Sequence, residues 1–186
     1  GIKEDDFVLL TVARLLPRKG QDFVIKALSE INQPNIKYLC VGEGRFEKQY
    51  KQLATSLGLK DRVIFAGGIE NEKIHEYYDC ANIFILCNRT WDSKIEGLPN
   101  VVIESMARSV PVIGSKDSGT EELILDGITG FLVNPYNIND VNEKIVRAYT
   151  MRDKLDKMGE SAKIFVKDNF HYEKMRSEYL KLLANE

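Results

Sequence analysis

The residues best suited to binding an anion follow the first apolar run of the sequence. Arg14, Lys19 and Gly20 lie in the segment ARLLPRKG, at the end of FVLLTVA. Cations and a glycine between a strand and a helix suit an anion, because the amides at a helix N-terminus carry partial positive charge. A lone surface cation is ordinarily only a solvated charge. It is the position after the first strand that favours an anion site here.

A second glycine-rich segment, Gly42-Glu43-Gly44, follows the second apolar run. A G-x-G lets the backbone approach a phosphate, but the dinucleotide-binding fingerprint needs a third glycine where this sequence has Glu47. That fingerprint also belongs after the first strand of the sheet. The sequence therefore argues against an NAD-dependent dehydrogenase.

Two carboxylates surround a third candidate, a predicted helix N-terminus. Glu96 lies in the loop before it, and Glu104 lies about one turn inside a helix predicted to have Pro99 in its first turn and to run through Ser109. Free amides from Leu98 to Val101 can hold phosphate oxygens, and a carboxylate can accept hydrogen bonds from sugar hydroxyls. Either glutamate alone is more simply an exposed charge. Together they favour a phosphorylated sugar.

Six short β-rich runs, alternating with helical periods, must position these residues. The runs are FVLLTVA (7–13), IKYLCV (36–41), RVIFAG (62–67), NIFILC (82–87), PVIG (111–114) and GFLV (130–133). The alternation predicts one α/β domain over residues 1–186, a Rossmann-like doubly wound parallel sheet of about six strands with a helical C-terminal tail. Ligands of such sheets bind beyond the carboxyl ends of the strands, where all three candidate segments fall.

Helix starts are predicted from two capping patterns. Ser118 and Glu121 have the spacing of a capping box for a short helix that Gly127 would end, and Asp140 and Glu143 repeat that spacing before a longer helix.

Composition excludes several classes of protein. The chain has 26 Lys and Arg residues against 28 Asp and Glu residues, so its charge of −2 predicts no nucleic-acid partner. Its three cysteines lie in or beside apolar runs and are predicted to be free, buried thiols, and no Cys, His and Asp cluster predicts a metal site. The acidic N-terminus lacks a basic region before its first apolar run, and no apolar run approaches about 18 residues. We therefore expect a soluble chain with a cytoplasmic location.

The order of these segments resembles the C-terminal, donor-binding domain of retaining glycosyltransferases with the GT-B fold, specifically glycosyltransferase family 4, or glycosyl transferases group 1. The resemblance spans nearly the whole chain. It depends on ARLLPRKG, VGEG, RVIFAGGI, EGLPNVVIESMARSVPVIGS and SGTEELILDGITGFLV, taken in this order.

The resemblance implies a role for each candidate residue. Arg14 and Lys19 match the pair that holds the nucleotide diphosphate and stabilises it as a leaving group. Glu96 matches the first acid of the E-x7-E pattern, which contacts hydroxyls of the donor sugar, and Glu104 matches the second, which contacts the ribose. Arg14, Lys19 and Glu96 are therefore the implied catalytic residues. The other implied donor-binding residues are Gly42, Gly44, Gly68, Ile69, Gly97, Leu98, Pro99, Asn100 and Val101.

Ile69 would lie beside the nucleobase. Pro99 departs from the glycine that many relatives have at this position, and it has no N–H to offer a phosphate.

The resemblance also implies a missing partner. An N-terminal acceptor-binding domain would take a glycan or lipid-linked acceptor, would provide any peripheral association with the inner face of the membrane, and would receive the helix predicted from Tyr172 to Ala184. The implied donor is a nucleotide diphosphate sugar, with UDP-sugars favoured, and no metal or other cofactor is expected to be essential. This half alone would be inactive or weakly active. Two alternatives stay open: a non-catalytic nucleotide-sugar binding module and a relative of sugar-nucleotide epimerases.

Overall fold

The computed structural model describes residues 1–94, 97–116 and 118–184. Within these residues, six parallel strands form one sheet in the order β3-β2-β1-β4-β5-β6. The strands are β1 (Phe7–Val12), β2 (Ile36–Val41), β3 (Val63–Gly67), β4 (Ile83–Leu86), β5 (Val112–Ser115) and β6 (Gly130–Val133). Each of the six predicted runs forms a strand, and the predicted doubly wound parallel sheet is confirmed.

Helices connect the strands and cover both faces of the sheet. They are α1 (Gln21–Ser29), α2 (Glu47–Ser56), α3 (Ile74–Asp79), α4 (Asn100–Ala107), α5 (Ile138–Thr150), α6 (Leu155–Asn169) and α7 (Tyr172–Ala184). Short 3-10 helices occur at Pro17–Lys19, Asn71–Lys73, Glu121–Leu123 and Arg152–Lys154.

The core divides between the two faces of the sheet, because successive side chains of a strand point to opposite sides. Phe7 and Leu9 of β1 pack in a cluster with residues of α1, α2 and α5. Val8 and Leu10 pack in the other cluster, with residues of α3, α4 and α6. A strand buried on both faces reads as a continuous apolar run, which is why FVLL could be recognised in the sequence.

Both predicted capping patterns are wrong. Ser118 Oγ accepts a hydrogen bond from the Thr120 amide at 3.3 Å, and the segment after it forms only the 3-10 turn at Glu121–Leu123. The N-cap of α5 is Asn137, whose side chain accepts from the amides of Asn139 and Asp140. Asp140 lies in the first turn of α5, and its Oδ2 accepts instead from the Asn134 amide at 2.7 Å. The helix therefore begins before Asp140.

The boundaries of α4 also differ from the prediction. Pro99 is the N-cap, in an extended conformation, and Asn100 is the first helical residue. The helix ends at Ala107 rather than Ser109, and Ser109 takes a positive φ of 60°. The chain therefore turns before β5 instead of continuing the helix.

The cysteine prediction is correct for two residues and wrong for the third. All three thiols are free, and Cys40 and Cys87 are buried at the sheet, but Cys80 is exposed. Cys80 is the C-cap residue of α3, where the apolar pattern that suggested burial belongs to its neighbours Tyr77 and Tyr78.

Helix α7 exposes large apolar side chains. Tyr179, Leu182 and Leu183 are 64%, 68% and 67% exposed, respectively. Among the described residues, no helix is both long and apolar enough to cross a membrane.

Candidate functional site

The loops after β1 and β2 contact each other through their backbones. The Leu15 amide donates to the Glu43 carbonyl at 2.9 Å. A Cβ atom at Gly42 would lie 2.3 Å from the Ala13 carbonyl oxygen, and one at Gly44 would lie 2.4 Å from the Leu15 carbonyl oxygen. These two glycines therefore allow the close approach of the loop that carries Arg14.

The same loop also packs on the end of β4. Gly20 has a φ of +75°, and a Cβ atom there would lie 1.9 Å from the Cys87 carbonyl oxygen. The Arg89 amide, two residues further along, donates to the Arg18 carbonyl at 2.9 Å. The loop after β4 thus fixes the position of the segment that holds the candidate cations.

The two predicted diphosphate ligands lie at either end of this segment. Arg14 is exposed, and its carbonyl accepts a hydrogen bond from Gln21 Nε2 at 3.1 Å. Lys19 is half-buried in the last turn of the 3-10 helix and is followed by Gly20, the N-cap of α1. A cation next to a helix N-terminus faces the positive end of the helix dipole, so an anion bound there would stabilise both.

Arg14 opens onto a pocket of about 400 Å³ between the loops after β1, β2 and β4. We call it the cationic pocket. It is lined by Arg14, Leu16, Arg18, Arg45, Trp91, Asp92 and Lys94. Four of these seven side chains are cationic and one is acidic, so the pocket favours an anion.

An ion pair that the sequence analysis did not find joins two of the elements next to this pocket. Arg89 Nη2 donates to both oxygens of Asp22, at 3.0 and 2.9 Å, and its guanidinium lies 4.3 Å from the centroid of the Phe23 ring. The two charged side chains are only 11% and 17% exposed. The pair joins the loop after β4 to the first turn of α1.

Asn88 is a second residue that sequence reasoning missed. It is fully buried, its Oδ1 accepts from Thr120 Oγ1 at 3.1 Å, and its Nδ2 has no hydrogen-bond partner among the described residues. Its position directly after the apolar run of β4 was the available signal, because polar residues that follow parallel strands collect at the ligand-binding edge.

Glu104 lies in the second turn of α4, on the other side of this edge. It is exposed, and Tyr78 of α3 donates a hydrogen bond to its Oε2 at 2.9 Å. Burial raises the pKa of the Tyr78 hydroxyl, and the nearby Glu104 carboxylate raises that pKa further. Tyr78 therefore keeps its proton, and its hydrogen bond orients the Glu104 carboxylate.

Glu104 lines a second pocket, of about 550 Å³, which we call the Glu104 pocket. Its lining residues are Leu98, Asn100, Ile103, Glu104, Asn169, Phe170 and Lys174. Helix α4 and the junction of α6 with α7 form its walls, so it is built from helices where the cationic pocket is built from loops.

The segment that leads into α4 is held by the loop after β5. A Cβ atom at Gly119 would lie 2.4 Å from the Gly97 carbonyl carbon, so the two backbones touch. Gly97, Leu98 and Asn100 are exposed and Val101 is half-buried, whereas Pro99 is buried at the N-cap and offers no amide. Glu96, the first acid of the E-x7-E pattern, lies outside the described residues.

The predicted nucleobase segment borders the loop after β2. A Cβ atom at Gly68 would lie 2.9 Å from Glu43 Oε1, and Ile69 is half-buried against the core on the α3 and α4 face. This edge of the sheet therefore carries cations on its loops and a carboxylate, Glu104, on helix α4. In the part of the chain that the structure describes, no group of three or more His, Cys, Asp or Glu residues is placed to hold a metal ion.

Comparisons with known proteins agree with this architecture. HepE from Anabaena, solved in complex with UDP, is 25% identical and superposes with a TM-score of 0.87 over 98% of this chain and 50% of its own. The C-terminal domain of a glycosyl transferase group 1 family protein, LpcC of Francisella tularensis, has the same fold at 22% identity, with a TM-score of 0.80 over 89% of this chain and 87% of its own.

Sequence relatives agree as well. A GDP-mannose-dependent alpha-(1-6)-phosphatidylinositol monomannoside mannosyltransferase of Mycolicibacterium smegmatis is 29% identical over 95% of this chain and 47% of its own length. The chain spans about half the length of the curated relatives it matches. The family model described as glycosyl transferases group 1 matches residues 1–165. The chain therefore belongs to the glycosyl transferases group 1 family.

Proposed function

We propose that this chain binds a nucleotide diphosphate sugar and donates its hexosyl group, with retention at the anomeric carbon, to an acceptor held by another domain. The observation that carries the proposal is the convergence of the Arg14 loop and the N-terminus of α4 at one edge of the sheet, in a chain of this family. UDP in the related HepE supports a diphosphate ligand.

Arg14 and Lys19 would stabilise the charge that develops on the leaving diphosphate. In the transfer, the bond between the anomeric carbon and the β-phosphate oxygen breaks, and a bond to the acceptor oxygen forms. In the front-face route that we propose, the acceptor proton passes to the leaving phosphate. Fixed cations stabilise such a transition state without a metal ion.

Glu104 would accept hydrogen bonds from two hydroxyls of the ribose, since a carboxylate has acceptor capacity for both. The amides of Leu98 and Asn100, two exposed residues, would meet the phosphate at the start of α4. Pro99 offers none, so we propose that these two flanking residues supply the amide contacts there.

The acceptor would be a glycan or a lipid-linked glycan bound by an N-terminal domain of the full protein. Two observations support a partner domain: the chain spans about half of its relatives, and α7 exposes Tyr179, Leu182 and Leu183. We expect the chain alone to bind the donor and to turn it over poorly.

Calorimetric titration of UDP, GDP and ADP, and of their common sugar conjugates, tests the proposal. The titrations are made in EDTA with the chain and with Glu104→Ala and Lys19→Ala. We expect one nucleotide to bind, and each substitution to weaken binding by about 1 to 3 kcal/mol, the cost of losing a charged hydrogen bond. UDP is the first candidate, and GDP the second because the mycobacterial relative is named as GDP-mannose-dependent.

Matched controls are Glu143→Ala on α5 and Lys163→Ala on α6, two exposed charges that line neither pocket. They should bind as the unchanged chain does. The proposal fails if no nucleotide diphosphate binds, or if the site and control variants lose the same affinity. Product analysis with the full-length protein separates a transferase from an epimerase, because only the transferase consumes an acceptor.

A further inference from the structure

We infer that the cationic pocket is a subsite for an anionic sugar of the acceptor, one that carries a carboxylate or a phosphate. This inference rests on the proposed function: the donor would use Arg14, and the rest of the pocket would contact part of an acceptor that the other domain holds. Three features of the pocket support it: its charge, the geometry of Arg45, and the hairpin that carries Trp91.

The pocket contains more cations than the predicted donor ligands account for. Among the described residues, Arg14 is the only predicted donor ligand that lines it, and Lys19 and Glu104 do not. The remaining cations come from three separate segments: Arg18 before α1, Arg45 after β2 and Lys94 after β4. Among the described lining residues, Asp92 is the single acid. Cations that reach one pocket from three loops favour an anion there.

Arg45 is arranged to bind an oxyanion. Its guanidinium lies 5.2 Å from the centroid of the Trp91 ring and 5.3 Å from that of Phe46. Stacking on aromatic faces leaves the planar edge of a guanidinium free to donate two parallel hydrogen bonds to a carboxylate or phosphate. Over the described ranges, no ion pair engages Arg45. Among the described residues, the cation is therefore oriented by aromatic packing rather than by a carboxylate.

Trp91 and Lys94 lie on a tight hairpin with an unusual turn. Trp91 and Lys94 exchange backbone hydrogen bonds of 3.2 and 3.1 Å, and between them Asp92 and Ser93 have φ values of 53° and 55°. Two consecutive positive φ angles without a glycine cost about 1 kcal/mol or more each. Contacts must hold this hairpin in place, and one of them is the edge-to-face packing of Trp91 on Phe46.

An aromatic ring beside cations suits a charged sugar better than a free anion. The ring offers an apolar surface to the C–H groups of a sugar, while the cations take its charged substituent. A nucleotide base would stack on Trp91 equally well, so the test must separate donor from acceptor.

Trp91 is the only tryptophan of the 186 residues, so its fluorescence reports on this pocket alone. The chain is titrated with methyl glucuronide, glucose 6-phosphate, neutral methyl glucoside and inorganic phosphate, each with and without saturating nucleotide. We expect one of the two anionic sugars to change the fluorescence at millimolar concentration, more strongly than the neutral sugar or inorganic phosphate. The response identifies carboxylate or phosphate as the substituent.

Arg45→Gln should weaken this response about tenfold or more, the equivalent of one charged hydrogen bond, and leave nucleotide affinity unchanged. Arg45→Lys should keep part of the fluorescence response to the anionic sugar. Arg108→Gln is the matched control, because Arg108 is paired with Asp79 on another part of the surface and should change neither.

Three outcomes would overturn the inference while the proposed function stands. In the first, nucleotide binds by calorimetry but no anionic sugar changes the fluorescence. In the second, inorganic phosphate binds as well as the sugars do. In the third, Arg45→Gln abolishes nucleotide binding. The last outcome would make the pocket part of the donor site. Failure of nucleotide binding itself would instead reject the proposed function.

Discussion

The cationic pocket and the Glu104 pocket lie at one edge of the sheet but are built in different ways. Loops form the first, and they are positioned by backbone contacts at Gly20, Gly42 and Gly44. Helices form the second, where Glu104 is positioned by the side chain of Tyr78. The difference shows that fixed cations here depend on the course of the backbone, whereas the carboxylate depends on a single hydroxyl. Substitutions that disturb the cationic pocket should therefore destabilise the fold, whereas those at the Glu104 pocket should mainly affect binding.

The largest effect is expected from Gly20→Ala, which attacks the loop side. The substitution puts a residue with a Cβ at a φ of +75° and brings that Cβ within 1.9 Å of the Cys87 carbonyl oxygen. We expect the free energy of unfolding to fall by about 4 kcal/mol, a value reserved for severe steric changes. Urea unfolding measures it. Because the loop must move, nucleotide affinity should fall as well.

Gly58→Ala is the matched control, because Gly58 has a φ of +71° but nothing within 4 Å of its Cβ position. It should lose only the conformational term, about 1 to 2 kcal/mol. If the two variants were equally stable, the contact between Gly20 and the Cys87 carbonyl would not be what holds the Arg14 loop in place.

The second prediction concerns the largely buried Asp22–Arg89 pair. Asp22→Asn leaves the Arg89 guanidinium, now without its counter-charge, at 11% exposure. We expect a loss of about 3 kcal/mol in the free energy of unfolding, because an unpaired buried charge is costly. The double variant Asp22→Asn with Arg89→Met should recover most of that loss. A double variant as unstable as the single one would contradict this account.

An exposed pair provides the contrast in magnitude and in pH dependence. The Asp79–Arg108 side chains are 53% and 37% exposed, so Asp79→Asn should cost less than about 1 kcal/mol. The hydrogen bond from Arg108 lowers the pKa of the Asp79 carboxyl below its ordinary 3.8. Its contribution is therefore full above pH 3.8 and is lost as the pH falls through the lowered pKa. The free energies of unfolding of the unchanged chain and of Asp79→Asn, measured against pH, should converge in that acidic range.

The sheet could be predicted from the sequence because buried parallel strands read as apolar runs, and β1 and β2 have the predicted first residues. Helix starts were less predictable, since several polar residues compete for each one. Asn137 caps α5 although Asp140 has the capping-box spacing, and Pro99 caps α4 instead of entering it. Local spacing alone does not decide between such neighbours.

The candidate site was predictable only where its residues belong to a charged motif, either the loop after β1 or the E-x7-E pattern. Arg14 and Lys19 could be found in this way, and Glu104 through its spacing from Glu96. The cationic pocket could not, because Arg45 and Trp91 are far apart in the sequence and meet only through the fold. The hairpin at Asp92-Ser93 has no glycine or asparagine, so its turn carries no sequence signature.

On the helical side, Tyr78→Phe is expected to affect nucleotide binding modestly and stability hardly at all. This change removes the hydrogen bond of 2.9 Å to Glu104 Oε2 and preserves the ring that packs in the core. If Glu104 binds the ribose, a less well oriented carboxylate should weaken nucleotide binding by about 1 kcal/mol, roughly fivefold. Calorimetry measures the affinity, and urea unfolding should show little change.

Tyr50→Phe is the control for Tyr78→Phe, because the Tyr50 hydroxyl is buried with no hydrogen-bond partner among the described residues. Removing an unsatisfied hydroxyl should leave nucleotide affinity unchanged and should not lower stability. Combining Tyr78→Phe with Glu104→Ala completes the argument, since a hydroxyl that acts only through Glu104 has no further effect once that carboxylate is gone. An additive loss in the double variant would mean that Tyr78 contributes to the site by another route.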